Sequence, residues 1–295
     1  MSLRLQLLQV ARLAPRLLGD STGLVRDFFV RQFNEQGAAV DRGGRPDLYY
    51  TIFALSGAQA IEAVISLDRT AGWLESFGDG AGIDFVHLGA LARCWAAVGL
   101  EKMPKHRDRA ILSRIEAFRK PDGTYDGDTK LAHGTAYGAF VALGAYQDLG
   151  HTPPGILDLI RGLKRLETVD GAWNNQPGMA MGSLNATAGA VTLIRHLGFP
   201  VNQSVGDWLL AQAHPEGGFK ATPDAPIPDL LSTATALHAL SSMDRRVPSA
   251  VHERCLDFLD SLWSAEGGFH GHWADDDLDP EYTFYGLLAL GHLSL

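Results

Sequence analysis

A short turn recurs four times along this chain and constrains its fold more than any other feature. The turns begin at Asp122, Asp170, Glu216 and Glu266, and each has the form acid, glycine, small residue, aromatic. They are spaced about 48 residues apart, a period typical of repeated supersecondary units. The glycine permits the positive φ that a tight chain reversal needs. The chain is therefore predicted to consist of one repeated unit.

Each turn lies between two different helical patterns. The segment before it is amphipathic, as in HRDRAILSRIEAFRK, and the segment after it is nearly free of charge, as in DLLSTATALHALSSM. An amphipathic helix faces water on one side, whereas a helix that is apolar on most sides must be buried. Two earlier segments, VRDFFVRQF to LYYTIFALSGAQAI and AGWLESFGDGAG to FVHLGALARCWAAV, keep the helix pair but lack the full turn.

Six helix pairs predict an all-α protein of twelve helices. No segment shows the alternation of β-branched residues that indicates a sheet. Six amphipathic helices outside six apolar helices close naturally into a ring, so we predict an α6/α6 toroid of six helix-pair repeats. It forms one domain over residues 1–295 and encloses a central cavity. An open solenoid is the alternative.

Charge and cysteine content limit the partners. A formal net charge of −9 argues against nucleic acid or an anionic membrane as the main partner. Cys94 and Cys255 form no CxxC pair, and no apolar run is long enough to span a membrane, which together predict a cytoplasmic protein. The N-terminal LRLQLLQVARLAPRLL is typical of an amphipathic basic helix. We favour its packing on the domain, with peripheral membrane contact as the alternative.

The repeats resemble those of a known group of proteins. Turns such as Gly217-Gly218-Phe219, each followed by a small-residue helix, are similar to the repeats of protein prenyltransferase β subunits and of squalene or terpene cyclases. YYTIFALSGAQAI and GTYDGDTKLAHGTAYGAFVALGAY look most like the prenyltransferase β branch. The resemblance covers nearly the whole chain and implies an isoprenoid in the central cavity. It leaves open whether an α-type partner subunit binds.

The zinc ligands that this resemblance would imply are missing at the matching positions. Farnesyl- and geranylgeranyltransferases hold zinc with an Asp-x-Cys pair and a histidine. The matching places here read Asp-Leu-Leu from Asp229 and Asp-Pro-Glu from Asp279, and the histidine position is Tyr282. We therefore expect no zinc, and any prenyl transfer would be zinc-independent.

The cyclase branch of the resemblance implies acid chemistry at the same place. Squalene and class II terpene cyclases protonate an alkene with the middle acid of Asp-x-Asp-Asp, and the segment from Asp279 to Tyr282 reads Asp-Pro-Glu-Tyr. Glu281 lies among aromatic neighbours, whose desolvation would raise the pKa of its carboxyl towards that of a proton donor. Favourable charge at a helix N-terminus also explains it. Asp279, Glu281 and Tyr282 are the candidate catalytic residues.

Aspartates before the apolar helices are also predicted to cap them. Asp followed by Pro is a preferred helix start, which explains Asp279 without catalysis, and Asp47, Asp84 and Asp229 occupy similar positions. The acids from Asp275 to Asp277 are predicted to form a solvated loop, with a weak Mg²⁺ site as the alternative.

Further residues are predicted to contact the isoprenoid because they lie on the apolar helices or in loops leading to the cavity. Aromatic faces can line such a pocket and stabilise a carbocation. Asn185 takes a place where the prenyltransferases carry a basic residue, which weakens the case for diphosphate binding. A histidine among apolar residues, such as His133, is predicted to be a core or cavity residue rather than a metal ligand. The candidate substrate-binding residues are Tyr50, His133, Tyr137, Asn185, Asp229, His272, Trp273 and Tyr285.

Together these patterns predict an isoprenoid-processing enzyme that binds a prenyl diphosphate or polyene in an apolar cavity. Zinc-independent prenyl transfer and acid-initiated cyclisation both remain open. A non-catalytic isoprenoid-binding protein is a further alternative, since fold alone does not fix function. A carbohydrate-active toroid with paired carboxylates is the last one.

Overall fold

The computed structural model describes residues 1–295, and its fourteen α-helices confirm the predicted all-α architecture. No strand is present, and the only β-type pairs are isolated bridges at the turns. In chain order the helices are α1 (Leu3–Ala11), α2 (Pro15–Leu18), α3 (Thr22–Arg31), α4 (Leu48–Ala60), α5 (Leu67–Glu75), α6 (Phe85–Val98), α7 (Arg107–Glu116), α8 (Ala136–Asp148), α9 (Ile156–Lys164), α10 (Leu184–His196), α11 (Ser204–Ala211), α12 (Leu230–Ser242), α13 (Ser249–Leu262) and α14 (Pro280–Leu293).

The even-numbered helices from α4 to α14 form a closed inner ring. Each packs against the next one, and α14 returns to pack against α4. The odd-numbered helices from α3 to α13 lie outside, as α5 does on α6 and α13 on α14. An inner helix thus has neighbours on three sides, which explains why its sequence is small and apolar nearly all round. The six-pair toroid is confirmed.

The four predicted aspartate caps are also confirmed. The side chains of Asp47, Asp84, Asp229 and Asp279 each accept a hydrogen bond from the backbone N–H three residues later. Each cap satisfies one of the free N–H groups at the start of an inner helix. The inner helices run parallel, so their N-termini surround one end of the ring, which we call the mouth.

The glycine turns pack on the outer helix of the next unit. A Cβ on Gly217 would lie 2.0 Å from the carbonyl oxygen of Arg254 in α13, and one on Gly267 would lie 2.2 Å from that of Leu24 in α3. Both glycines have positive φ. Glycine is therefore required by close approach as well as by backbone conformation. The contact of Gly267 with α3 closes the outer ring between the last and first units.

The first unit contains the backbone turn that its sequence was expected to lack. The N–H of Asn34 donates to the carbonyl of Ala38 at 2.8 Å, and Gly37 has a φ of 82°. The hydroxyl of Thr51 in α4 accepts from the N–H of Ala39 at 2.9 Å. The prediction was wrong because alanine occupies the position of the aromatic here while the turn itself is kept.

The N-terminal segment forms two helices rather than one. α1 ends at Ala11, and α2 begins with Pro15 in its first turn. α1 packs against α4, α8 and α14, with Leu3 and Leu8 buried, so its packing on the domain is confirmed. The N–H of Leu3 donates to Gln147 Oε1 near the end of α8, which places α1 across the end of the ring opposite the mouth. We call this end the floor. No helix is both long and apolar enough to cross a bilayer.

Candidate functional site

A cavity of about 390 Å³ lies inside the inner ring. All six inner helices and α1 contribute to its lining of 21 residues, of which 12 are hydrophobic. Its volume lies in the range of roughly 300–1,000 Å³ that is typical of small-molecule sites. The predicted hollow is therefore present, with α1 as its floor.

The lining residues recur at helical spacing along each inner helix. α12 contributes Leu231, Thr235 and His238, and α4 contributes residues from Tyr49 down to Ser56. Positions three or four residues apart share one face of a helix. Seven residues at 1.5 Å rise each give a cavity about 10 Å deep. The cavity therefore runs from the mouth towards the floor.

Glu281 adjoins the mouth end of this cavity. The hydroxyl of Tyr49, a lining residue, donates to Glu281 Oε1 at 2.6 Å. Burial raises the pKa of Glu281 to about 7, and the nearby charge of Asp279 acts in the same direction. The Tyr49 hydrogen bond and the more distant Arg42 oppose that rise. A carboxyl with this pKa keeps its proton in about half of the molecules at neutral pH.

Asp279 lies beside Glu281 but is fully engaged. Its Oδ2 accepts from Arg42 Nε at 2.8 Å, and its Oδ1 accepts from the N–H of Tyr282 at 2.8 Å. Arg42 also binds Asp275 and Asp277. Burial raises the pKa of Asp279, while the bonds to Tyr282 and Arg42 act against that. The geometry makes Asp279 a helix cap and an anchor for Arg42.

The structure places Tyr50 and Tyr282 around this cluster rather than in the cavity lining. Tyr50 packs edge-on against Tyr49 with 5.9 Å between ring centroids. The Cζ of Arg42 lies 5.6 Å from the centroid of the Tyr282 ring. Burial raises the pKa of Tyr282 to about 12. Both tyrosines therefore pack on the groups that surround Glu281.

Three of the predicted substrate-binding residues line the cavity: Tyr137, Asn185 and Tyr285. The Oδ1 of Asn185 accepts from the hydroxyl of Thr235 at 3.0 Å. The ring of Tyr285 lies 5.5 Å from that of Phe53, which gives the cavity an aromatic wall. The structure therefore brings these three residues and Glu281 together at one hollow.

The other predicted binding residues lie elsewhere. Asp229 accepts from both the N–H and the hydroxyl of Ser232 at 2.7 Å as the cap of α12, and burial raises its pKa. His133 lies in the loop before α8 and not in the helix, which begins at Ala136.

The remaining two belong to the loop after the last glycine turn. Contrary to its predicted position, Trp273 packs on the outer helix α13, where its Nε1 donates to the hydroxyl of Ser261 at 2.9 Å. His272 Nδ1 accepts from the N–H of Ala274 in the same loop. Neither residue is part of the cavity lining.

The floor carries polar groups, and of these the sequence patterns singled out only His238, as a core or cavity residue. Asp148 is buried and accepts from Arg4 Nε and Arg93 Nε, each at 3.3 Å. His238 Nδ1 lies 3.0 Å from His292 Nε2. Burial lowers the pKa of His238 to about 4 and that of His292 to about 3, so both are neutral at pH 7. The sequence signal for this charged cluster was Arg93, a single charged residue within the otherwise apolar helix α6.

The residues present do not fit a metal site. Cys94 and Cys255 are buried in the helix packing, and burial raises the pKa of both thiols. Asp275 and Asp277 pair with Arg42, so a guanidinium already supplies the positive charge beside these two carboxylates. No group of three or more His, Cys, Asp or Glu side chains could hold a metal ion.

Comparison with known proteins gives the fold a wider context. Residues 187–293 match the family described as "Prenyltransferase alpha-alpha toroid domain". No curated protein sequence matches the chain.

Solved structures are similar over nearly the whole chain. The type II terpene cyclase MstE from Scytonema, in complex with its substrate geranylgeranyl dihydroxybenzoate, has a TM-score of 0.60 and 15% identity over 95% of this chain and 97% of that one. Protein geranylgeranyltransferase-I from Candida albicans, complexed with GGPP, has a TM-score of 0.52 and 16% identity, covering 97% and 81%. An alpha-1,6-mannanase from Salegentibacter has 0.59 and 9%, covering 94% and 98%. The chain therefore has the alpha-alpha toroid fold that these solved structures share, and its residues 187–293 match the prenyltransferase alpha-alpha toroid domain family.

Proposed function

We propose that this protein is an isoprenoid-processing enzyme that binds a polyene in the central cavity and starts its cyclisation with a proton from Glu281. The observation that carries the proposal is a buried carboxyl group with a pKa of about 7, hydrogen-bonded to a tyrosine of the cavity wall. A proton donor works best when its pKa is close to the working pH.

The walls of the cavity support a hydrocarbon ligand and a cationic intermediate. The ring of Phe53 lies 5.5 Å from that of Tyr285 and 5.9 Å from that of Phe284. Aromatic faces attract cations, and this attraction is stronger where water is excluded. The apolar lining also offers a polyene the burial that drives its binding.

The proposed reaction is an isomerisation. The proton of Glu281 is added to a terminal double bond, whose π electrons form the new C–H bond and leave a cation on the neighbouring carbon. The electrons of the next double bond close a ring onto that cation. The final cation loses a proton to His238, which is neutral and lines the floor end of the cavity. Solvent then returns Glu281 and His238 to their starting states.

Transfer from a prenyl diphosphate is less well supported, because three of the basic residues near the mouth are engaged. Arg42 binds three carboxylates, Arg45 pairs with Asp41 at 2.9 Å, and Lys220 Nζ donates to the carbonyl of Pro223 at 2.7 Å. A diphosphate would have to displace these partners. Glycoside hydrolysis is also less well supported, since Asp279, the carboxyl beside Glu281, is bound by Arg42 in a mostly apolar site.

Incubation with geranylgeraniol in D₂O tests the proposal. We expect a cyclic isomer that carries one deuterium on carbon, detected by gas chromatography and mass spectrometry. Glu281→Gln keeps an acceptor for Tyr49 but cannot donate the proton, so turnover should fall about a thousandfold while binding persists. Glu116→Gln is the matched control, since Glu116 also accepts from tyrosine hydroxyls, those of Tyr125 and Tyr146, but lies outside the cavity.

Three results would contradict the proposal at different levels. Binding without any product would identify an isoprenoid-binding protein rather than an enzyme. Wild-type turnover by Glu281→Gln would remove Glu281 as the proton source. Failure of geranylgeraniol to bind, with a thermal shift produced by manno-oligosaccharides instead, would replace the isoprenoid by a carbohydrate.

A further inference from the structure

We infer that the cavity takes a polyene with an anionic head group, a carboxylate or a phosphate, and that Arg93 binds this group near the floor. The inference rests on the proposed function, because it takes the ligand to be an isoprenoid. It adds which end of the ligand lies at which end of the cavity.

The first argument is the charge balance of the floor. Arg4 and Arg93 both line the cavity, and Asp148 is the only carboxylate that pairs with them. His238, which also lines the cavity, and its partner His292 are neutral. One positive charge is therefore left over in a largely apolar wall. An unpaired charge in such surroundings is costly, and an anionic ligand would reduce that cost.

The second argument is that Arg93 has unused donors. Its Nε donates to Asp148, but its two terminal nitrogens make no hydrogen bond within the protein. Arg4 differs, because its Nη2 donates to the carbonyl of Ala96 at 3.3 Å. The planar fork of a guanidinium matches the two oxygens of a carboxylate or phosphate. The Cζ of Arg93 lies 5.6 Å from the centroid of the Phe140 ring, which keeps the group against the cavity wall.

Two phenols add to this site. Tyr137 and Tyr285 line the cavity, and their hydroxyls make no hydrogen bond within the protein. Burial raises the pKa of both phenols, and the charge of Arg93 acts against that rise. An anion held by Arg93 could therefore also accept from a tyrosine hydroxyl.

The position of Arg93 sets the orientation of the ligand. Arg93 lies about two turns below the start of α6, whereas Glu281 is in the first turn of α14. Because the inner helices start at the same rim, the two side chains begin roughly 10 Å apart along the ring axis. A head group at Arg93 leaves the far end of the polyene at Glu281. Protonation would then start at the end remote from the head group, and ring closure would proceed towards the floor.

The test compares ligands that share one C20 chain. Dissociation constants would be measured by calorimetry for geranylgeraniol, geranylgeranoic acid and geranylgeranyl monophosphate. A charged hydrogen bond of this kind should make at least one anion bind about ten- to a hundredfold more tightly than the alcohol. The tighter of the two anions identifies the head group.

Variants locate the preference. Arg93→Gln should abolish the preference, so that neither anion binds more tightly than the alcohol, and Arg4 remains to pair with Asp148 so that the fold is kept. Arg93→Lys should retain most of it. Arg161→Gln removes the same charge from the exposed outer helix α9 and should retain all of it. Equal binding of all three ligands, or an anion preference that survives Arg93→Gln, would overturn the inference about Arg93 and leave the proposed function standing. Failure of all three to bind would overturn the proposed function as well.

Discussion

The buried carboxyl groups at the mouth and at the floor of the cavity have different partners. At the floor, Asp148 lies between two guanidinium groups. At the mouth, Glu281 has a phenol as its hydrogen-bond partner, while the adjacent Asp279 has Arg42. A paired buried carboxylate belongs to the stability of the fold, because removing one partner leaves an isolated charge. Burial raises the pKa of all three carboxyl groups, but guanidinium partners oppose that rise at Asp148 and Asp279, whereas no cation is bound to Glu281. A raised pKa without a bound cation suits proton transfer.

The largest expected effect concerns the floor. Asp148→Asn leaves Arg4 and Arg93 without a counter-charge, so the free energy of unfolding should fall by about 3–5 kcal/mol. Urea denaturation followed by circular dichroism measures this loss. The control is Asp244→Asn, at a carboxylate that is 90% exposed and 3.6 Å from Arg195. It should stay within about 0.5 kcal/mol of the wild type. Equal losses of stability in the two variants would mean that the buried pairs of Asp148 contribute no more to stability than an exposed ion pair does.

The next effect concerns pH at the mouth. The pKa of Glu281 is about 7 in the folded chain against 4.5 for an ordinary glutamate. Between these values the folded state holds a proton that the unfolded state has lost. Stability therefore falls as pH rises through this window, by up to about 1.4 kcal/mol per pH unit from this group. Below pH 4.5 the group contributes no slope, and above pH 7 the loss is complete.

Glu281→Gln isolates this contribution, because other carboxyl groups titrate equally in both proteins. Denaturation curves at pH 5, 6 and 7 should show the variant gaining stability relative to the wild type as pH rises. Parallel pH profiles for the two proteins would mean that Glu281 is ionised in the folded chain over this pH range. It would then be a buried carboxylate, as Asp148 is at the floor.

The smallest effect concerns the wall between the two ends. Gly189 lines the cavity in α10, and no atom lies within 4 Å of a Cβ added there. Gly189→Ala should therefore raise the free energy of unfolding by about 0.5–1 kcal/mol, the helix preference of alanine over glycine. Gly138→Ala in α8 should instead destabilise, since its Cβ would lie 1.9 Å from the carbonyl oxygen of Tyr125. Stabilisation by both substitutions would contradict the open wall at Gly189.

Features encoded in short segments were predictable from the sequence. Asp47 and Asp229 stand directly before apolar helices, so their capping could be predicted from two neighbouring residue types. The raised pKa of Glu281 could be predicted in direction, because aromatic neighbours in the sequence imply burial. The ring followed from counting helix pairs.

Features that join distant segments were not predictable. Arg42 pairs with Asp279 across 237 positions, and nothing in the local pattern around either residue indicates the other. Trp273 follows a glycine turn, but its ring packs on α13 because its loop passes over the outside of the ring. Arg93 lies in an apolar helix, and the residues around it in the sequence include no partner for its charge. That partner is Asp148, at the end of α8.

The pairing of Tyr49 with Glu281 spans 232 positions and joins the first unit to the last. Local helix pairs can form while the chain is still being synthesised, but this contact requires the closure of a very long loop. A nascent chain that lacks α14 has no closed inner ring, and it also lacks the carboxyl group of Glu281. The buried site at Glu281 would therefore form in a single late step of folding, after the rest of the toroid has already assembled.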